Sequence, residues 1–248
     1  MRRTPLVFAL AATAALAACG ENSPNSAAEI SPAVSEPAAG VPARAAPPAR
    51  ATPEQQAATP TGGVQGGTDN WRSVATPRDA SLLGRLDQAW RMSRAEAETA
   101  GFARQVEALG PLVDPNAAQA GQLQPAPGDY RCRTIRLGRH AEGQGAAFVE
   151  QPWAACSVEM TPGGDLILAK TAGPQRMRGL LYPDTDRRLV YVGAQAVGEA
   201  QKTVPAAYGQ DTARDQVGVL ERIGQNRWRL VLPWPRQDAK LELVEITR

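Results

Sequence analysis

The 248-residue chain has one histidine, His140, and three cysteines, Cys19, Cys132 and Cys156. These scarcities remove most metal and nucleophilic chemistry: a triad or zinc site would rest on one imidazole, and no CxxC or HxxxH spacing exists. Aromatic residues make up 5% of the chain, and no aromatic girdle accompanies the short, charged strands, which excludes an outer-membrane barrel. No apolar run approaches the ~20 residues of a membrane span. Basic and acidic residues number 27 and 25, without the basic stripe that a nucleic-acid surface requires. The nearest approach, Arg131, Arg133 and Arg136, reads as a solvated strand face. The segment GQGAAF (residues 143–148) lacks the Lys-Ser/Thr ending and following helix of a phosphate loop. No metal or cofactor site is expected, and no catalytic residue is assigned.

What the N-terminus does contain is an export signal. Arg2 and Arg3 form a positive n-region, residues 6–16 an apolar h-region, and Leu16-Ala17-Ala18-Cys19 a lipobox. The pattern is that of a bacterial secretory signal over residues 1–18. Its resemblance to lipoprotein signals implies cleavage before Cys19, diacylation of the thiol and acylation of the new N-terminus. Several acyl chains anchor far better than one. Residues 19–68 are mostly Ala, Pro, Ser, Gly, Thr, Glu and Gln without any aromatic. They cannot bury enough surface to offset chain entropy and read as a disordered tether, reaching about 35 to 42 Å as a random coil. The expected location is the bacterial cell envelope, lipid-anchored and facing the periplasm.

With Cys19 consumed by lipid, Cys132 and Cys156 remain in an oxidising compartment, where a disulfide is favoured over a zinc site. Folded sequence is expected over 69–248 as one globular domain, helical over 77–109 and strand-rich over 128–248. Thr76, Pro77 and Asp79 supply an N-cap hydroxyl, a first-turn proline and a first-turn carboxylate. Leu82, Leu83, Leu86, Ala89, Trp90 and Ala97 then recur at helical spacing, and Gly101 marks a break. After a Pro/Gly/Ala/Gln-rich connection over 110–128, the period becomes two. Tyr130, Cys132 and Thr134 alternate with arginines, and turn signals at 162–165, 183–186 and 224–226 separate further strands. Asp184 and Asp186 read as turn residues rather than calcium ligands. About eight strands result, so the expected fold is α+β and mainly β. An N-terminal amphipathic helix packs on a curled antiparallel sheet or small barrel.

The stretches DNWRSVATPRD, GDYRCRTIRLG, GLLYPD, YGQDTARD and VLERIGQNRWRLVLPWP together resemble the uncharacterised family of domains of unknown function numbered 4893, found in bacterial envelope proteins. The resemblance covers residues 69–248 and implies secretion. The family carries no established activity, so no catalytic residue follows from it. In architecture alone the chain is similar to small periplasmic eight-stranded barrels that inhibit proteases, without their inhibitory trunk motif. Within the longest irregular connection, residues 198–215, the segment Tyr208 to Asp215 is the expected binding surface: Tyr208, Asp211, Arg214 and Asp215 join an aromatic ring to interleaved charges, the alternative being that Arg214 pairs with Asp211 or Asp215 and pins the loop. The function expected is a tethered, non-catalytic binding module. Its partners are the membrane, through the lipid anchor, and an unidentified protein or small-molecule ligand. A hydrolase using carboxylates such as Glu159, Glu221 and Asp215 is one alternative, and a structural or inhibitory envelope protein is another.

Overall fold

Hydrophobic spacing changes from helical to alternating near Gly128, and the architecture changes with it. The computed structural model describes residues 68–141, 144–196, 205–236 and 239–248. Cys19 and the tether segment lie outside these residues, as do Gly143 and residues 197–204.

A 3-10 turn at Trp71–Ser73 leads into α1 (Pro77–Gly84), where the Thr76 hydroxyl accepts the Asp79 amide at 3.2 Å. This satisfies one of the unpaired donors of a helix start. Arg85 leaves helical angles at φ −110°, and α2 (Leu86–Ala97) resumes directly. Gly101, at φ 93°, distorts the π turn Glu98–Phe102 before α3 (Ala103–Ala108) and a 3-10 turn at Gly110–Val113. The helical stretch is therefore three short helices bent around a curved surface.

That surface is a barrel. The strands are β1 (Gly128–Arg139), β2 (Phe148–Glu150), β3 (Ala154–Met160), β4 (Leu166–Lys170), β5 (Met177–Pro183), β6 (Arg188–Gln195), β7 (Asp215–Gly224), β8 (Arg227–Pro233) and β9 (Ala239–Thr247). Neighbours from β3 onward pair in sequence order, and β1 pairs with both β3 and β9, closing eight antiparallel strands. The fold is α+β and mainly β. The additional strand is β2, which takes over the edge of β1 at residues 135–137, beyond the residues 128–132 that pair with β3.

Strand alternation divides the apolar residues into two sets. One set, including Cys132, Val158, Leu168, Leu181, Tyr191, Leu220, Leu230 and Val244, contains no helical residue and fills the barrel. The other joins Leu83, Trp90 and Leu112 to the opposite strand faces at Ile135, Val190, Val219 and Leu243, which seats the helices on the outer wall. Small residues make room inside. A Cβ on Gly179 would meet the Tyr191 ring at 2.5 Å, and one on Gly193 would meet its hydroxyl at 2.4 Å. The Cys132–Cys156 disulfide is formed within this interior, linking β1 to β3 with Cα atoms 5.9 Å apart.

Arg229 clamps the helical layer to the outside. Fully buried, it donates to Glu221 Oε2 at 2.7 Å and to the carbonyls of Leu112 at 3.1 Å and Asp114 at 2.6 Å. Its guanidinium also lies 5.0 Å from the Trp90 ring centroid. A buried guanidinium is tolerable only with such complete pairing.

Candidate functional site

β1 leaves the end of the barrel where connections are tight (161–165, 184–187, 225–226) and runs to the end where they are long (140–147, 171–176, 196–214, 234–238). Interior chemistry follows this division. Towards the long-loop end the inward positions change from Leu, Val and Ile to Thr134, Arg136, Lys170, Gln195, Gln216 and Glu242, all buried. Burying polar groups costs free energy unless each finds a partner.

Several partners are present. Arg136 Nε donates to Glu242 Oε2 at 2.8 Å. Lys170 Nζ donates to Thr134 Oγ1 at 3.2 Å and Gln151 Oε1 at 3.1 Å. Burial holds the Lys170 ammonium below the ordinary lysine range; the Glu242 charge opposes that shift and the Arg136 charge adds to it. Burial and the same Glu242 charge push the Tyr191 hydroxyl far up. The Tyr191 hydroxyl and Gln216 Oε1 have no hydrogen-bond partner among the described residues. Buried orphans of this kind are few in native proteins and call for water or ligand. Arg136 also lines a cavity of about 530 Å³, together with His140, Gln144, Gly145, Ala146, Val149 and Arg236. Arg136 and Arg236 line it, ion-paired to Glu242 and Asp79, and no carboxylate lines it among the described residues, so it offers guanidinium donors to a polar or anionic group.

Of the residues expected to bind, Tyr208 is buried and donates to Asp79 Oδ2 at 2.6 Å, while accepting the Thr76 amide at 2.9 Å. Burial, with the Asp79 hydrogen bond, pushes its hydroxyl up to about 12. Asp215 is buried and accepts the Gly209 amide at 2.9 Å. Burial raises its carboxyl above the usual range. The Asp79 and Asp211 charges add to this, against the Gly209 hydrogen bond and Arg236. Arg236 ties the Asp79 carboxylate to the backbone of Asp215, donating to Asp79 Oδ1 and the Asp215 carbonyl at 3.1 Å each. Asp211 and Arg214 pair with each other at 3.0 Å on the surface. The described part of this loop is thus fastened to the start of α1 beside the cavity, with Asp211 and Arg214 at its outer side.

The hydrolase carboxylates are dispersed. Glu159 faces Arg178 at 3.8 Å, Glu221 is taken by Arg229 on the outer wall, and Asp215 lies at the long-loop end, held by the Gly209 amide. Asp184 accepts from Trp71 Nε1 at 2.9 Å and Arg188 Nε at 2.7 Å, locking the tight-turn end to the first 3-10 turn. Among the described residues no three His, Cys, Asp or Glu side chains cluster as metal ligands.

Arg136, Lys170, Tyr191, Gln216 and Glu242 did not stand out in the sequence, although strand parity marks them. Arg136 is in phase with Cys132 and Thr134, Lys170 with Leu166 and Leu168, and Glu242 with Val244 and Ile246. A charged residue in phase with the buried set is an inward charge, so Arg136 is separated from the outward Arg131 and Arg133 with which it had been grouped.

Among curated proteins and solved structures no match is found. Residues 71–246 match the family described as "Domain of unknown function (DUF4893)". That span runs from the tryptophan that docks on Asp184 to the end of the closing strand, and the chain belongs to this family.

Proposed function

We propose that the protein is a lipid-anchored binding module of the bacterial cell envelope, held by acylated Cys19 and facing the periplasm. Its ligand is a small polar or anionic molecule seated at the long-loop end of the barrel. One observation carries the ligand reading: buried Tyr191 and Gln216 oxygens have no hydrogen-bond partner among the described residues, in a polar interior whose Arg136 also lines an open cavity. A barrel built only for stability would continue its apolar filling to this end, because buried polar atoms lower stability. The lipobox and the composition of residues 19–68 support the anchoring.

Native mass spectrometry of full-length protein, extracted from envelopes in mild detergent, tests the ligand reading. A retained small molecule is expected, and a Lys170→Met, Tyr191→Phe variant with unchanged melting temperature should lose it. A ligand-free spectrum of the unaltered protein, or equal retention by the variant, overturns the reading. Anchoring is tested separately by the mass of the mature N-terminus. An unmodified chain still carrying Met1 counts against it.

A further inference from the structure

The opposite end of the barrel has a different composition, and its arginines are distinctive. Several barrel arginines are matched to carboxylates: Arg133 and Arg227 to Glu245, Arg136 to Glu242, Arg188 to Asp184, Arg229 to Glu221. Arg222 and Arg248, at the tight-turn end, have no carboxylate partner among the described residues. Arg222 donates only to neutral amide oxygens, Gln122 Oε1 at 3.3 Å and Gln119 Oε1 at 3.1 Å. Its Nε is buried with no hydrogen-bond partner among the described residues. The Arg248 guanidinium lies 5.6 Å from the Tyr130 ring centroid.

Both arginines line one groove of about 1000 Å³ together with Gln119, Gln122, Gln225 and Asn226. Leu123 forms its floor: it packs against the interior cluster, and its carbonyl accepts Trp228 Nε1 at 2.9 Å. No carboxylate side chain lines the groove among the described residues. The nearest acidic turn is already engaged, Asp184 by Trp71 and Arg188 and Asp186 by Arg187. Asp129 and Asp165 also lie at this end, neither among the residues that line the groove. Two lining residues, Gln122 at φ 46° and Asn226 at φ 54°, hold left-handed backbone. That conformation is unfavourable for glutamine in particular, and such strain gathers at binding sites.

We propose that this groove binds a phosphate or carboxylate group carried on a polyhydroxylated scaffold, as in a sugar phosphate. Guanidinium forks match the planar or tetrahedral oxygen array of such anions. Each glutamine or asparagine amide offers both donors and an acceptor, the pairing a sugar hydroxyl needs. Tyr130 and Trp228 are buried, so recognition is by hydrogen bonds and charge rather than by ring stacking. The same chemistry is presented by a free sugar phosphate or by a phosphoinositide-type lipid headgroup.

Calorimetry on the full-length chain in non-ionic detergent, with glucose 1-phosphate, glucose and inorganic phosphate as probes, tests the site. Flotation of the Cys19→Ala chain on phosphatidylcholine vesicles with or without phosphatidylinositol tests the lipid source. Glucose 1-phosphate should bind at least about tenfold more tightly than glucose or phosphate. Arg222→Gln and Arg248→Gln should each weaken it about tenfold or more, as loss of a charge-assisted hydrogen bond does. Flotation that requires phosphatidylinositol and both arginines supports the same site with a lipid headgroup as its source. Arg248 is exposed and lies outside β9, so its variant remains informative if Arg222→Gln does not fold. Binding unchanged in Arg248→Gln, equal affinity for glucose and glucose 1-phosphate, or no binding to any probe overturns the proposal.

Discussion

At the tight-turn end the barrel is filled by Tyr130, Cys132, Cys156, Val158, Trp228 and Ile246, and corked by Leu123; at the long-loop end the same strands turn inward Arg136, Lys170, Gln195, Gln216 and Glu242. One end repeats the construction of any apolar core. The other gives up apolar burial, worth roughly 25 cal/mol per Å², for polar groups that must be paired or solvated. Stability is thus concentrated where connections are short, and specific chemistry where they are long. Long loops add little closure entropy for their length, so that end accommodates variable connections at small cost.

The comparison breaks most severely at the buried ion pair. Glu242→Leu leaves Arg136 charged in the interior and should cost about 3 to 5 kcal/mol, read by urea or thermal unfolding. A loss under about 1 kcal/mol would mean that this end is as wet as open solvent and no chamber exists. At the other end, the Cys132→Ala, Cys156→Ala pair opens a loop of sequence separation 24. Loop entropy alone predicts about 3 to 4 kcal/mol of destabilisation, checked by unfolding with and without reductant. Leu123→Ala removes the partly buried cork and should cost about 1 to 2 kcal/mol, below the range for a fully buried leucine. It should also expose Trp228 to fluorescence quenchers, and unchanged quenching would show that the cork does not seal the barrel.

The smallest effect is in pH dependence, where the two ends should respond with opposite sign. Asp215, at the long-loop end, has its carboxyl raised chiefly by burial. Its contribution is full below its unfolded value and is lost as pH rises through the folded one. Asp184, at the tight-turn end, is raised by burial but more than compensated by hydrogen bonds from Trp71 and Arg188, so it lies below its ordinary value. Its contribution is full above the unfolded value and is lost as pH falls through the folded one. On acidification the melting temperature of the unaltered protein should therefore rise relative to Asp215→Asn and fall relative to Asp184→Asn. Parallel curves for all three proteins would remove the electrostatic difference between the ends.

Much of the fold was legible because local rules and tertiary structure agree. The Thr76-Pro77-Asp79 start, the break at Gly101, the hairpin turns and the Cys132–Cys156 pairing all state their structure within a few residues or through the compartment. β2 has no sequence signature because three residues ending in a glutamate carry too little periodicity, and its position depends on where β3 leaves the edge of β1. Arg229 alternates with Trp228 and Leu230 and so falls on the outer face of its hairpin. It is buried only because residues 110–115, distant in sequence, lie across it. Tyr208 and Asp215 were legible as special, but not that α1 would supply the partner of Tyr208 or that Arg236 would hold the Asp215 backbone carbonyl. The chamber needed a ring of eight strands to appear, since no single strand contributes more than two of its polar groups.

The pairing of β1 with β9 also bears on how the chain is made. The first barrel strand to be synthesised finds its partner in the last, with Arg131 opposite Thr247 and Arg139 opposite Ala239. Contacts so far apart in sequence repay their ordering cost only at the end, which slows folding. Until β9 arrives, β1 and β8 each present an unpaired edge able to recruit another chain. A product interrupted before residue 239 would keep both edges open and tend to aggregate, so only the complete polypeptide can shut its own sheet.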